Sequence, residues 1–223
     1  MKAALAILIG VAVSSPGWST TIFTDETAFT DAVPAYEQIA FAGLAPIDGM
    51  TSFGHTLNVP PVTFQDGEDN LTVVDPGFTN GTGTYDGWSL FGVPVLNDNY
   101  GYVNDPSVIS VQLPAGVVAA GMTISIQPGV VGEFFPVEAT GIGTITLSDG
   151  ESTTFALDSS TRGFIGFTSD TPITSFTVST PSFGLLTSEV LYSSVAPEPA
   201  SWLCVGLGLA LLFGGASKRE HSN

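Results

Sequence analysis

Basic side chains are nearly missing from this 223-residue chain: four Lys and Arg stand against 21 Asp and Glu. Lys2 lies near the start and Lys218 and Arg219 near the end. Arg162 is therefore the one Lys or Arg between residues 20 and 196, facing 19 acids, a net charge of −18. Such a surface repels nucleic acid and anionic headgroups and has no basic cluster for phosphate, so nucleic-acid partners are ruled out. Cysteine is equally scarce. The single Cys204 falls in an apolar run near the C-terminus, leaving residues 20–196 without a disulfide, a thiolate nucleophile or a cysteine metal site. Only one of the two histidines, His55, precedes the tail, and no G-x-S-x-G is present. That argues against Ser-His catalysis and against histidine zinc sites. Despite its acidity the chain is 43% hydrophobic, which disordered acidic segments are not.

What is present divides into three parts. Met1-Lys2 followed by the apolar run Ala3 to Val13 and then small residues reads as a signal peptide, cleaved after Ser19, with Ser14 the alternative point. The run is too short for a comfortable membrane span, which weighs against an uncleaved anchor. Residues 20–194 form one exported domain, large enough for its own core. Residues 195–223 form a sorting and anchoring segment.

The exported domain reads as all-β. Thr24 caps a short helix over Thr27 to Ala32 that Pro34 stops. Strands are expected at 37–44, 55–64, 70–74, 88–93, 107–113, 117–127, 142–148, 151–158, 163–168, 173–179 and 186–192. They are runs of β-branched and aromatic residues bounded by Gly, Pro, Asn and Asp. Ile145 with Leu147, Phe155 with Leu157 and Ile124 with Ile126 each share a face. Asp149-Gly150 predicts a type I′ hairpin between 142–148 and 151–158. Many short strands at this spacing predict an antiparallel β-sandwich or jelly roll with one short N-terminal helix.

Two stretches carry binding chemistry. "GTGTYDGWSLFG" (81–92) and "NDNYGYVNDP" (97–106) combine Tyr85, Trp88, Tyr100 and Tyr102 with Asp and Asn. Aromatic faces stack on sugar rings while Asn and Asp bond hydroxyls; equally, such aromatics cap a sandwich core with their polar ends at its edge. "DGEDN" (66–70) and "NDNYGYVND" (97–105) crowd oxygen donors suited to Ca²⁺, without the EF-hand pattern. Acid-rich turns on a solvated face are the simpler account. No metal ligand set is assigned and no other cofactor is expected. Nineteen acids leave room for a glycosidase carboxylate pair. Many of them, however, stand in Asp-Gly turns (Asp48, Asp66, Asp86, Asp149), where turn chemistry explains them.

The last segment is the most informative. Residues 200–216, "ASWLCVGLGLALLFGGA", hold no charge and span about 26 Å as a helix, the short end of a membrane crossing. Trp202 suits one interface and Lys218-Arg219 the other, which leaves the acidic domain outside the cytoplasm. Pro197-Glu198-Pro199 just before the run holds an extended segment and stops the helix from growing outward.

Leader, Pro-Glu-Pro, a short glycine-containing span (Gly206, Gly208) and a basic end together resemble the PEP-CTERM sorting signal of Gram-negative bacteria. The basic end is shorter than usual for that family and is diluted by Glu220 and His221. The resemblance covers about the last 25 residues. It implies recognition by an exosortase, a membrane transpeptidase-like enzyme, in species that make exopolysaccharide. A GPI signal with sequons at Asn70 and Asn80 is the rival, but such a tail ends apolar rather than in "SKREHSN". "GFIGFTSDTPITSFTVST" (163–180) resembles the closing strand pair of exported domains that carry this tail, with Asp170-Thr171-Pro172 as its turn. The chain thus reads as a non-enzymatic envelope or extracellular-matrix protein associated with exopolysaccharide or biofilm. Carbohydrate binding, with or without Ca²⁺, is the alternative, and glycoside hydrolysis and ice binding are remoter ones.

Overall fold

A computed structural model describes residues 20–67, 70–78, 91–98, 106–127, 129–131, 135–137, 139–181 and 184–195. The chain opens with an unexpected strand, β1 (Thr20–Phe23), and turns into helix α1 (Glu26–Ala32). The helix is capped by Asp25, whose Oδ1 accepts the Ala28 N–H at 2.7 Å, and not by Thr24. Both residue types cap, but a carboxylate also complements the positive helix end. Val33 closes the helix by donating its N–H to Phe29 O at 2.9 Å, and its own backbone has left the helical conformation ahead of Pro34.

Strands follow in close sequence. β2 (Glu37–Ala40) and β3 (Met50–Gly54) precede the hairpin of β4 (Thr56–Val59) and β5 (Val62–Gln65). The run expected to be one strand over 55–64 breaks at Pro60-Pro61, which have no N–H for a ladder. After β6 (Leu71–Val74) comes β7 (Val95–Asn97). The strand expected at 88–93 is not formed over its described residues 91–93; Pro94 displaces pairing to the residues after it. β8 (Ser107–Gln112), β9 (Ala119–Ile126), β10 (Gly129–Val131) and β11 (Phe135–Val137) lead to β12 (Thr140–Leu147) and β13 (Ser152–Asp158). β14 (Gly163–Ser169), β15 (Ser175–Thr180) and β16 (Leu185–Ser193) complete the order.

Every pairing among the described residues is antiparallel. One sheet runs β1-β14-β9-β16-β7-β6-β3, with β2 also on β16; the other runs β13-β12-β15-β8-β5-β4, and β10 pairs with β11 alone. The chain is therefore all-β with one short helix among the described residues. Two expectations change. Gly150 alone takes positive φ, +92°, in the β12–β13 turn, and the Asp149 carboxylate accepts the Glu151 N–H at 3.0 Å. The turn is thus not type I′, which needs two residues at positive φ. The segments of "GFIGFTSDTPITSFTVST" do not pair with each other: β14 lies in the first sheet and β15 in the second, and residues 170–174 cross between them.

The inner faces of both sheets share one core that includes Phe41, Phe64, Met122, Ile109, Phe167 and Phe176. Phe167 of the first sheet meets Phe176 of the second edge to face, 5.7 Å between centroids. The outer face of the first sheet is covered at two places. Phe29 of α1 packs with Val33 onto Phe164 and Leu191, and Phe91 packs with Val95 onto Val74 and Leu186. This double covering is why β9 and β16 are buried on both faces.

β16 contains the irregularity that shapes this face. It pairs with β9 on one side and, on the other, with β7 over Leu186–Thr187 and then with β2 over Glu189–Tyr192. A bulge at Ser188 interrupts the register. Before it Leu185 faces the core, and after it Val190 and Tyr192 do, so the inward parity switches from odd to even numbers. Glu189 is thereby turned to the outer face.

Candidate functional site

Most residues singled out from the sequence fall beyond the described residues. Tyr85, Trp88, Tyr100, Tyr102, the motif Pro197-Glu198-Pro199, Lys218 and Arg219 all lie outside them, as does the apolar run 200–216. Among the described residues no helix is long and apolar enough to cross a membrane. In sequence, residues 79–90 precede Phe91 and residues 99–105 follow Asp98. His55 is exposed in the turn between β3 and β4.

Two polar clusters stand out instead, both built on β16. The first gathers around Arg162 in the gap between the two coverings of the outer face. Its Nη2 lies 2.9 Å from Glu189 Oε1 and 3.9 Å from Glu26 Oε2. The Thr123 hydroxyl donates to Glu189 Oε1 at 2.8 Å, and the Gln38 amide donates to Oε2. Arg162 also lies over the Phe91 ring, 5.8 Å from its centroid. Burial first, and then the Glu189 charge, push the Glu26 carboxyl above its ordinary range against the pull of Arg162. Gln38, Ser188 and Glu189 from the sheet, Val93 and Pro94 from the segment before β7, and Arg162 line a groove of about 190 Å³. The buried Ser188 hydroxyl has no hydrogen-bond partner among the described residues.

The second cluster is deeper and sits at the start of β16. Asp98, 1% exposed, directs Oδ1 at the Ser107 hydroxyl and at the Leu185 N–H 2.8 Å away, and the Val108 N–H also holds its carboxylate. Its Oδ2 has no partner among the described residues. Burial pushes the Asp98 carboxyl up to about 7, the nearby Asp66 charge adds to this, and the three hydrogen bonds pull the other way. Beside it Asn97 is fully buried with both side-chain polar atoms unpartnered, and Gln127 is buried with Oε1 unpartnered, again among the described residues.

Three oxygens of these residues crowd Gly184. A β-carbon on Gly184 would stand 3.1 Å from Asp98 O, 3.1 Å from Gln127 Oε1 and 3.2 Å from Asn97 Oδ1. A residue without a β-carbon fits this tight place, and the Gly184 carbonyl accepts the Gln127 N–H at 2.8 Å.

For three residues this corrects the reading of 66–70 and 97–105 as acid-rich turns on a solvated face, while Gly67 and Asn70 are exposed and residues 68–69 and 99–105 lie outside the described residues. Asp66, Asn97 and Asp98 are buried, and the fold brings Asp66 near Asp98. The sequence marked the oxygen-rich stretches, but Gln127 and Gly184 carried no signal, because only the pairing of β16 with β7 and β9 brings them there. Among the described residues no three His, Cys, Asp or Glu side chains gather in a metal-like group; the donors here are mainly amide and main-chain oxygens. In comparison with known proteins, the chain matches no family model and no curated protein.

Proposed function

We propose that the chain is an exported, non-enzymatic protein of the bacterial envelope or extracellular matrix. In this reading a leader delivers it, a transmembrane helix over 200–216 holds it, and an exosortase processes its PEP-CTERM tail where exopolysaccharide is made. The observation that carries the reading is the placement of the paired strands between the two expected processing points. Among the described residues β1 covers Thr20–Phe23, after the expected cleavage at Ser19, and β16 ends at Ser193, ahead of Pro197-Glu198-Pro199. Cleavage at either point leaves intact every ladder among the described residues.

Fusing residues 195–223 to an exported reporter in an exosortase-bearing host tests it. The fusion is expected to reach the envelope and to be shortened, and deleting Pro197–Pro199 is expected to leave a longer, membrane-held precursor. Unchanged mass and location after the deletion would overturn the reading.

A second reading, carbohydrate binding, is favoured by the groove beside Arg162. Its apolar side, Val93 and Pro94, stands with amide, hydroxyl and carboxylate groups of Gln38, Ser188 and Glu189, a combination that suits a polyhydroxylated ring. The chain carrying Tyr85 and Trp88 leads into Phe91 at the same place. A glycan array probed with the protein, with and without Ca²⁺, is expected to show exopolysaccharide-type ligands; silence in both conditions removes this reading.

A further inference from the structure

We propose that the outer face of the second sheet binds the surface of ice crystals. The inference uses neither the groove beside Arg162 nor the sorting tail and depends on neither reading.

Three features support it. Ile145, Leu147, Phe155, Phe176 and Ile109 point into the core, so the residues that alternate with them form the opposite face. There the strand registers set hydroxyls in ranks. Ser152, Thr146, Thr177 and Ser110 stand abreast across β13, β12, β15 and β8. Thr154, Thr144 and Ser179 form the next rank, two residues along each strand. Sheet geometry spaces such side chains about 4.8 Å apart within a rank and about 6.7 Å apart between ranks. Second, this face is uncharged except at its rim. Of the residues in the six strands only Asp158, at the end of β13, carries a charge, although residues 20–196 hold 19 acids. Third, the array is stiff. Branched threonine side chains have few rotamers, and the Ser110 and Thr177 hydroxyls lie 2.9 Å apart and fix one another.

The composition of the face selects its partner. Protein interfaces are anchored by aromatic, Met and Arg side chains, and sugar rings stack on aromatic faces. The aromatic residues of this sheet, Phe64, Phe155 and Phe176, all lie in the core. What faces outward is a two-dimensional repeat of hydroxyl oxygens with methyl groups between them. Ile142, 61% exposed, and its register partner Ala156 extend the face with alkyl groups. Ice is an uncharged solid whose surface oxygens repeat at similar spacings. Hydroxyls can take up lattice positions and methyl groups the hollows between, whereas a charged side chain would keep its own hydration shell. Neighbouring strands twist by about 20–25°, so a rigid lattice meets only three or four of them at once. Such a contact suits slowing the growth of crystals more than holding water liquid far below freezing.

Ice-affinity partition and ice-grain coarsening of the full chain in mild detergent, with detergent alone as the blank, test the proposal. The chain is expected to be enriched in slowly grown ice over the remaining liquid and to arrest coarsening. Thr177→Lys, in the middle of the ranks, should lose both effects. Thr146→Lys, at an exposed place, should lose them too and decides the matter if the first variant does not fold. Thr27→Lys, exposed on α1 at the other side of the sandwich, should retain both. Exclusion of the unaltered chain from ice overturns the proposal. Enrichment that survives both lysine substitutions on the sheet overturns it as well, because adsorption then lies elsewhere. So does retention on an insoluble neutral polysaccharide, lost in the same two variants, by a chain that ice excludes.

Discussion

Arg162 and Glu189 meet at 2.9 Å on the outer face of the first sheet, and Thr123 donates to the same carboxylate oxygen. Arg162 is the one Lys or Arg available between residues 20 and 196, and it is spent on the one carboxylate that the β16 bulge turns onto this face. The pair spans two environments, since the Glu189 side chain is 10% exposed and that of Arg162 is 41% exposed.

Arg162→Met leaves Glu189 with only the Thr123 and Gln38 donors. The half-exposed guanidinium discounts the cost of breaking a buried pair, so a loss of about 1–3 kcal/mol is expected in urea unfolding. Adding Glu189→Gln should recover most of that loss. A double variant as weak as the single one would show that the ion pair is not the source.

Phe29 fixes α1 to the sheet. Its ring is fully buried, 5.3 Å from that of Phe164 and 5.6 Å from that of Phe23. Phe29→Ala is expected to cost about 3–5 kcal/mol and to accelerate amide exchange throughout residues 26–32. Unchanged protection of those amides would refute the anchoring role.

Gly121 and Gly166 are register partners on β9 and β14, and the Phe164 ring lies over them. A β-carbon at Gly121 would stand 2.4 Å from Phe164 Cζ and 3.1 Å from the Ile165 carbonyl. Gly121→Ala should therefore cost about 1–3 kcal/mol through overpacking, visible as a lower Tm. Gly67→Ala, where the β-carbon meets nothing within 4 Å, is the matched control.

Tyr192 donates its hydroxyl to Glu37, tying β16 to β2. Burial first, and then the bond to Glu37 and its charge, push this phenol from 10.0 up to about 12. The fold favours the protonated form, so its contribution is complete below pH 10 and is lost as pH rises through about 12. Tyr192→Phe should lower stability at neutral pH by about 1 kcal/mol and flatten its alkaline decline. Identical alkaline slopes in urea midpoints for both proteins would count against this account.

Residues with a local signature were readable in the sequence. Ile145, Leu147, Phe155 and Leu157 alternate with polar neighbours, and they are buried on the predicted faces of β12 and β13. Pro34 stops α1 as its missing N–H requires. The unexpected elements lack such a signature. β1 and β3 are short and half-exposed, held by pairing with β14 and β6 more than by their own pattern. The buried oxygen cluster was half readable: Asp66, Asn97 and Asp98 stood in stretches already marked as oxygen-rich. Nothing in a list of residues says that Gln127 and Gly184 arrive beside them, because those neighbours are set by β16 lying between β9 and β7.

The extra residue at Ser188 makes β16 two half-strands of opposite phase. Closing the bulge with Ser188 kept in the ladder would bring the halves into one phase, drawing the Glu189 carboxylate toward the hydrocarbon interior and pushing Val190 and Tyr192 to the outer face. Such a strand tolerates exchange of side chains far better than a change in its length. In related chains, a one-residue gap within this strand should therefore fall at position 188, where it leaves Leu185, Val190 and Tyr192 on the inner face, and other gaps should fall in the flanking loops.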